Sequence, residues 1–203
     1  DYSVAFGKGD YSELFFTSSR GGGLSDKIDA RTGENFSDIY SSKLNKTGKW
    51  SVPELLLEPV NTEGNEGSVF INKRGTMMFF TQCKVEKKKS EGCGIYVAKR
   101  KGKIWGEPML LQVKLDSNVT FGHPAVSDDE SIVIFSSDML GGYGGKDLWM
   151  VTKEQRGKWS IPVNLGPAIN TPNDEMFPFI RDDKTIYFSS NGHVGMGGLD
   201  IFK

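Results

Sequence analysis

Gly157-Lys158-Trp159-Ser160-Ile161-Pro162 is the third occurrence of one string in a chain of 203 residues. Its Trp-x-x-Pro part also stands at Trp50–Pro53 and Trp105–Pro108, each time behind a Gly-Lys pair (Gly48-Lys49, Gly102-Lys103). The three tryptophans are 55 and 54 residues apart. Two more markers keep the same order and period. An Asp-apolar-aromatic triplet occurs at Asp38-Ile39-Tyr40, Asp147-Leu148-Trp149 and Asp200-Ile201-Phe202; the second repeat keeps its shape without the acid, as Gly94-Ile95-Tyr96. An apolar run closing on Phe and a hydroxyl residue ends at Thr17, Thr81, Ser136 and Ser189. Three markers in one order identify an array of supersecondary units, each of which cannot bury its own sheet alone.

Within a period the pattern predicts four short strands. A semi-apolar first strand, as at Pro124–Ser127 or Phe177–Ile180, is followed by a polar turn such as Arg181–Lys184. The second strand is continuously apolar, which suits a strand covered on both faces. A Gly-rich loop (141–145, 192–198) leads to the aromatic third strand. The Gly-Lys turn then leads to a fourth strand carrying Trp-x-x-Pro, placed outermost because proline cannot donate to a ladder. Four strands per period make an all-β propeller of four-stranded antiparallel blades. No stretch shows the sustained 3.6-residue period of a helical solenoid. The blades are expected at roughly 3–60, 67–113, 121–167 and 175–203, in one domain or part of one. The last would lack its fourth strand, and the ring is expected to continue in a larger protein.

Composition narrows the function classes. Lys and Arg total 25 against 26 Asp and Glu, a net charge of −1, which offers no general attraction to nucleic acid or anionic membrane. The longest apolar runs, such as Ile132–Phe135, are too short to span a bilayer. The chain opens on Asp1-Tyr2-Ser3, without an initiator Met or a signal-peptide pattern. Cys83 and Cys93 flank the polar insertion Lys84–Gly92. They suit a disulfide clamping a surface loop in an oxidising compartment, or else two reduced thiols. Their spacing excludes a CxxC centre, and no partner ligands point to zinc.

Few residues suit catalysis. His123 occupies the repeat position of Phe177, so the slot accepts an apolar ring; His193 lies in a Gly-rich turn. There is no Gly-x-Ser-x-Gly elbow. Asp38, Asp147 and Asp200 could ligate Ca²⁺, but capping the N–H groups of the preceding turn is favoured, since clustered acids are missing. Trp50, Trp105 and Trp159 could form a sugar platform; their regular recurrence favours blade packing instead. Asn-Thr-x-x-x-Glu recurs at Asn61–Glu66 and Asn170–Glu175 in blade-connecting segments. Glu66 and Glu175 either face a partner at the propeller mouth or hydrogen-bond their own loop. The expectation is no catalytic, cofactor-binding or metal-binding residue, no cofactor, and a chain that is not an enzyme. A carbohydrate-binding or glycan-active propeller is the competing class, and the inner strands, with Val69-Phe70-Ile71 and Phe179-Ile180, are poor in the acids it needs.

The unit from Phe177 through Tyr187-Phe188-Ser189-Ser190-Asn191-Gly192 to Asp200-Ile201-Phe202 resembles the WD-repeat-like PD unit of TolB-like bacterial envelope propellers. The unit from His123-Pro124 to Pro162 matches nearly as well, whereas the first two carry insertions at Gly21–Phe36 and Lys84–Gly92. The resemblance covers essentially the whole chain. It implies a Gram-negative periplasmic location and association with the outer membrane. Such repeats accompany OmpA-like domains in Bacteroidetes, some of them in type IX secretion lipoproteins. It also implies partners among other envelope proteins, met through the loops, and further domains in the same polypeptide.

Overall fold

The computed structural model describes residues 1–7, 9–25, 27–29, 32–86, 89–113, 119–182 and 184–203, with backbone alone at 84–86 and 89–91. The chain is an all-β propeller of four antiparallel blades. It divides into two compact units, Asp1–Leu110 and Leu111–Lys203, each holding two blades.

In the first unit, blade one is ordered β1 (Tyr2–Phe6), β2 (Glu13–Ser18), β3 (Asp38–Lys43), β4 (Glu54–Leu55). Blade two follows with β5 (Asn65–Ile71), β6 (Met77–Glu86), β7 (Lys89–Lys101), β8 (Ile104–Trp105) and β9 (Met109–Leu110), the last two both pairing with β7. Phe15 and Ile39 of blade one pack against Val69, Met78, Phe80 and Ala98 of blade two. In the second unit, blade three comprises β10 (Phe121–Val126), β11 (Ile132–Ser137), β12 (Asp147–Thr152) and β13 (Val163–Asn164). Blade four is the three-stranded sheet β14 (Glu175–Asp182), β15 (Thr185–Ser190), β16 (Asp200–Phe202). Ile134, Leu148 and Phe188 form the buried centre of this unit.

The fourth strand differs from the expectation. Trp-x-x-Pro does not lie within it but interrupts it. Trp50 and Trp159 make isolated bridges to Leu44 and Lys153, and Trp105 pairs with Arg100. The ladder breaks at the proline, which lacks an N–H, and pairing resumes beyond it at β4, β9 and β13.

Each inner strand carries a bulge whose left-handed residue is not a glycine. The register of β1, β5, β10 and β14 shifts between Tyr2 and Ala5, Gly67 and Phe70, Gly122 and Ala125, and Met176 and Phe179. Ser3, Ser68, His123 and Phe177 sit at these bulges with φ of 51°, 49°, 53° and 51°. At each bulge one residue with a Cβ therefore occupies the left-handed region, where a Cβ is disfavoured. In the first unit the bulge presents the Ser68 N–H to Thr17 Oγ1 of the neighbouring blade at 3.1 Å.

Candidate functional site

The Asn-Thr-x-x-x-Glu segments are internal clamps. Asn61 accepts the Ile39 N–H at 2.8 Å and donates to the carbonyls of Ile39 and Leu56 at 2.8 and 2.6 Å. Asn170 treats Leu148 in the same way, at 2.8 and 3.0 Å, and also donates to Asn164 Oδ1. Each amide thus extends the pairing at the start of β3 or β12, beside the Leu56 or Leu165 N–H that reaches the same carbonyl. Glu66 and Glu175 are fully buried, which corrects their reading as partner-facing residues. Each folds back on its own loop, accepting the N–H and hydroxyl of Thr62 or Thr171. Gln82 donates to Glu66, and Ser190 to Glu175. Burial raises the Glu66 pKa despite the hydrogen bonds from Thr62 and Gln82.

The repeat aspartates hold the Gly-rich loops, as capping predicts. Asp147 accepts the N–H groups of Tyr143 and Gly144 at 2.6 and 3.1 Å, and the Asn164 amide at 2.7 Å. Asp200 accepts those of Met196 and Gly197 at 2.7 and 3.1 Å. Among the described residues Asp38 accepts Leu24 N–H alone, at 3.2 Å; Leu55 stands where blade three has Asn164, so the side-chain amide is missing. Its buried carboxylate pKa is raised by desolvation, opposed by that hydrogen bond. Glycine is required beside each acid: a Cβ on Gly23, Gly142 or Gly195 would strike the carboxylate.

The three tryptophans do not share one environment, contrary to the packing expectation. Trp105 is buried, with Phe15 edge-on at 5.9 Å and Arg100 5.1 Å above its face. Arg100 is itself held by both oxygens of Glu13, at 2.6 and 2.9 Å, and both side chains are largely buried. Trp159 is partly exposed under Lys153 Nζ at 5.8 Å, and Trp50 is 42% exposed. Residues of the adjacent blade, not the repeat motif, bury the ring.

Cys83 and Cys93 are joined in a disulfide with Cα atoms 4.0 Å apart. They are directly opposed across β6 and β7, so the bond braces two paired strands and does not clamp an irregular loop. Pairing continues beyond it to Glu86 and Lys89; residues 87 and 88 of this insertion lie outside the described residues.

The insertion of blade one folds differently. Ile28 and Asn35 form an antiparallel bridge, flanked by Asp29 N–H to Glu34 O at 2.8 Å and Phe36 N–H to Lys27 O at 2.9 Å. Residues 26, 30 and 31 of it lie outside the described residues. Ser19 Oγ donates to Glu34 Oε2 at 2.5 Å, and Asn35 Nδ2 to Ser19 O at 3.3 Å, tying the insertion to β2. Arg20 lies over the rings of Phe16 and Tyr40, at 5.2 and 5.0 Å, and donates to Ser18 Oγ and Asp1. An open cleft of about 480 Å³ remains between the insertion and this arginine.

His123 stacks on Phe177 with ring centroids 4.1 Å apart, the aromatic role its repeat position implies. Burial, reinforced by the Lys146 charge, lowers its pKa to about 3. His193 Nε2 meets Ile169 O at 2.8 Å and packs between Phe188 and Phe202. Among the described residues, no three His, Cys, Asp or Glu side chains gather as metal ligands.

No family model matches the chain, and no curated protein does. Among solved structures, an α-L-arabinofuranosidase from Lactobacillus brevis is similar with a TM-score of 0.53 and 12% identity, over 92% of this chain. The chain spans 64% of that protein's length. At this identity the likeness is one of fold. It nevertheless corrects the expectation that the chain is not an enzyme: a glycosidase is similar in fold, so the propeller architecture does not set this chain apart from enzymes.

Proposed function

We propose that this propeller is a recognition module of a bacterial cell envelope, binding other proteins through the loops that join its second and third strands. The observation that carries this reading is the replacement made in blade two. Where blades three and four have short loops held by Asp147 and Asp200, blade two extends β6 and β7 into a hairpin braced by Cys83–Cys93. A hairpin pre-formed by strand pairing and a disulfide loses less conformational entropy on binding than an irregular loop does. The envelope setting is supported by the disulfide, which persists in oxidising compartments, and by the resemblance to TolB-like propellers of the kind that accompany type IX secretion. Cross-linking and capture from envelope extracts tests it, with the whole chain compared against a variant whose residues 84–92 are replaced by Asn-Gly. Partners cross-linked to the hairpin and lost with the shortened variant are expected. Capture of the same proteins by both overturns the reading.

A further inference from the structure

The cleft of blade one is a second site, independent of the hairpin. We propose that it binds a neutral saccharide unit. Its walls carry planar polar groups with fixed edges: the carboxylates of Asp1 and Glu34, the guanidinium of Arg20 and the amide of Asn35, with the hydroxyls of Ser18 and Ser19 between them. The cleft is open, so it would hold one side of a ligand and leave the other in solvent. A sugar hydroxyl both donates and accepts, so neighbouring hydroxyls are satisfied by a carboxylate on one side and a guanidinium on the other. The mixture of charges also selects. Asp1 and Glu34 outnumber Arg20, which is already paired with Asp1, so an anionic ligand is disfavoured. An ammonium comparator tests whether hydroxyl recognition or net charge governs the cleft. Ile28, 56% exposed on the rim, supplies an apolar edge for the C–H face of a ring.

The site is pre-organised and keeps unused hydrogen-bonding capacity. Arg20 is immobilised by two rings beneath it, by Ser18 at Nε and by Asp1 at Nη2. Glu34 is oriented by Ser19, and Asn35 by the Ser19 carbonyl. Among the described residues, neither Arg20 Nη1 nor Glu34 Oε1 has a hydrogen-bond partner. Groups held by one edge, with the other turned free, favour binding because their ordering cost is already met.

Saturation-transfer difference NMR on the whole chain tests this with L-arabinose, D-xylose, D-galactose and their trisaccharides at millimolar concentration. Glucuronic acid and glucosamine serve as the charged comparators. A neutral saccharide is expected to receive saturation and to be preferred over both comparators. Glu34→Gln, at an exposed side chain, is expected to weaken that binding about tenfold or more, the loss of one hydrogen bond to a charged group. Arg20→Ala is expected to abolish it. If Arg20→Ala lowers the melting temperature, Glu34→Gln decides. Three results overturn the proposal: no saccharide binds, a charged comparator binds better, or Glu34→Gln binds as the parent does.

Discussion

Replacing Asn170 by alanine tests whether a side-chain amide, and not strand pairing alone, holds the start of β12. Leu148 is fully buried, and the Asn170 amide engages both its N–H and its carbonyl, at 2.8 and 3.0 Å. Asn170→Ala leaves the Leu148 N–H unsatisfied, while the carbonyl keeps the Leu165 N–H at 3.1 Å. One orphaned buried group costs about 1–3 kcal/mol, with a water entering the vacated space favouring the lower end. Asn170→Asp is the sharper variant. It retains the acceptor for Leu148 N–H but turns a carboxylate toward the Leu148 carbonyl and Asn164 Oδ1, which had accepted from the amide. It is expected to cost at least as much as alanine, although it is nearly isosteric. Urea denaturation reads the global loss, and amide exchange at Leu148 reads the local one. An alanine variant less than about 1 kcal/mol weaker, or an aspartate variant as stable as the parent, refutes the clamp.

Glu13→Gln leaves Arg100 without its counter-charge beneath the Trp105 ring, and about 3–5 kcal/mol of stability should be lost in urea. The double change Glu13→Leu with Arg100→Met should recover most of it; a single variant costing nothing would sink the account. His123 titrates at about 3 in the folded chain against 6.5 when unfolded, so the unfolded state binds more protons between those values. Its contribution is complete above pH 6.5 and is lost as pH falls toward 3. His123→Phe, which places the ring of Phe177 there, should flatten that loss in urea midpoints measured from pH 7 to 4; an unchanged profile counts against a buried neutral imidazole. Finally, Cys83 and Cys93 should resist alkylation until reduced, and replacing both by serine should cost about 2–3 kcal/mol on the chain-entropy estimate. Mass spectrometry finding both thiols alkylated without reduction removes the brace.

The strand order of every blade was readable from the repeat, because a propeller writes its periodicity into each copy. What was not readable depended on neighbours. Trp50, Trp105 and Trp159 are alike in sequence, yet burial follows Phe15 and Glu13, which lie far from Trp105 in the chain and belong to another blade. Glu66 and Glu175 gave no sign of burial, since the Thr hydroxyl and N–H that receive them, four residues earlier, are common in exposed loops as well. The bulges at Ser3, Ser68, His123 and Phe177 escaped because the residues of positive φ there are not glycines. The cleft beside Arg20 was equally hidden. The insertion was visible as a departure from the repeat, but the ties from Ser19 to Glu34 and Asn35 arise only when it folds back on β2.

The asparagine clamps have a bearing on how such a chain can be cut and recombined. Asn61 ties the segment entering blade two to blade one, and Asn170 ties the segment entering blade four to blade three, 109 residues later. The sequence 111–120, which leads into blade three, holds no Asn-Thr-x-x-x-Glu element. A break after Leu110 therefore preserves both clamps, whereas a break at 58–64 or 167–173 severs one. The natural building block for swapping, splitting or duplicating this propeller is a pair of blades, and a library of chimaeras should show crossovers surviving at every second blade boundary.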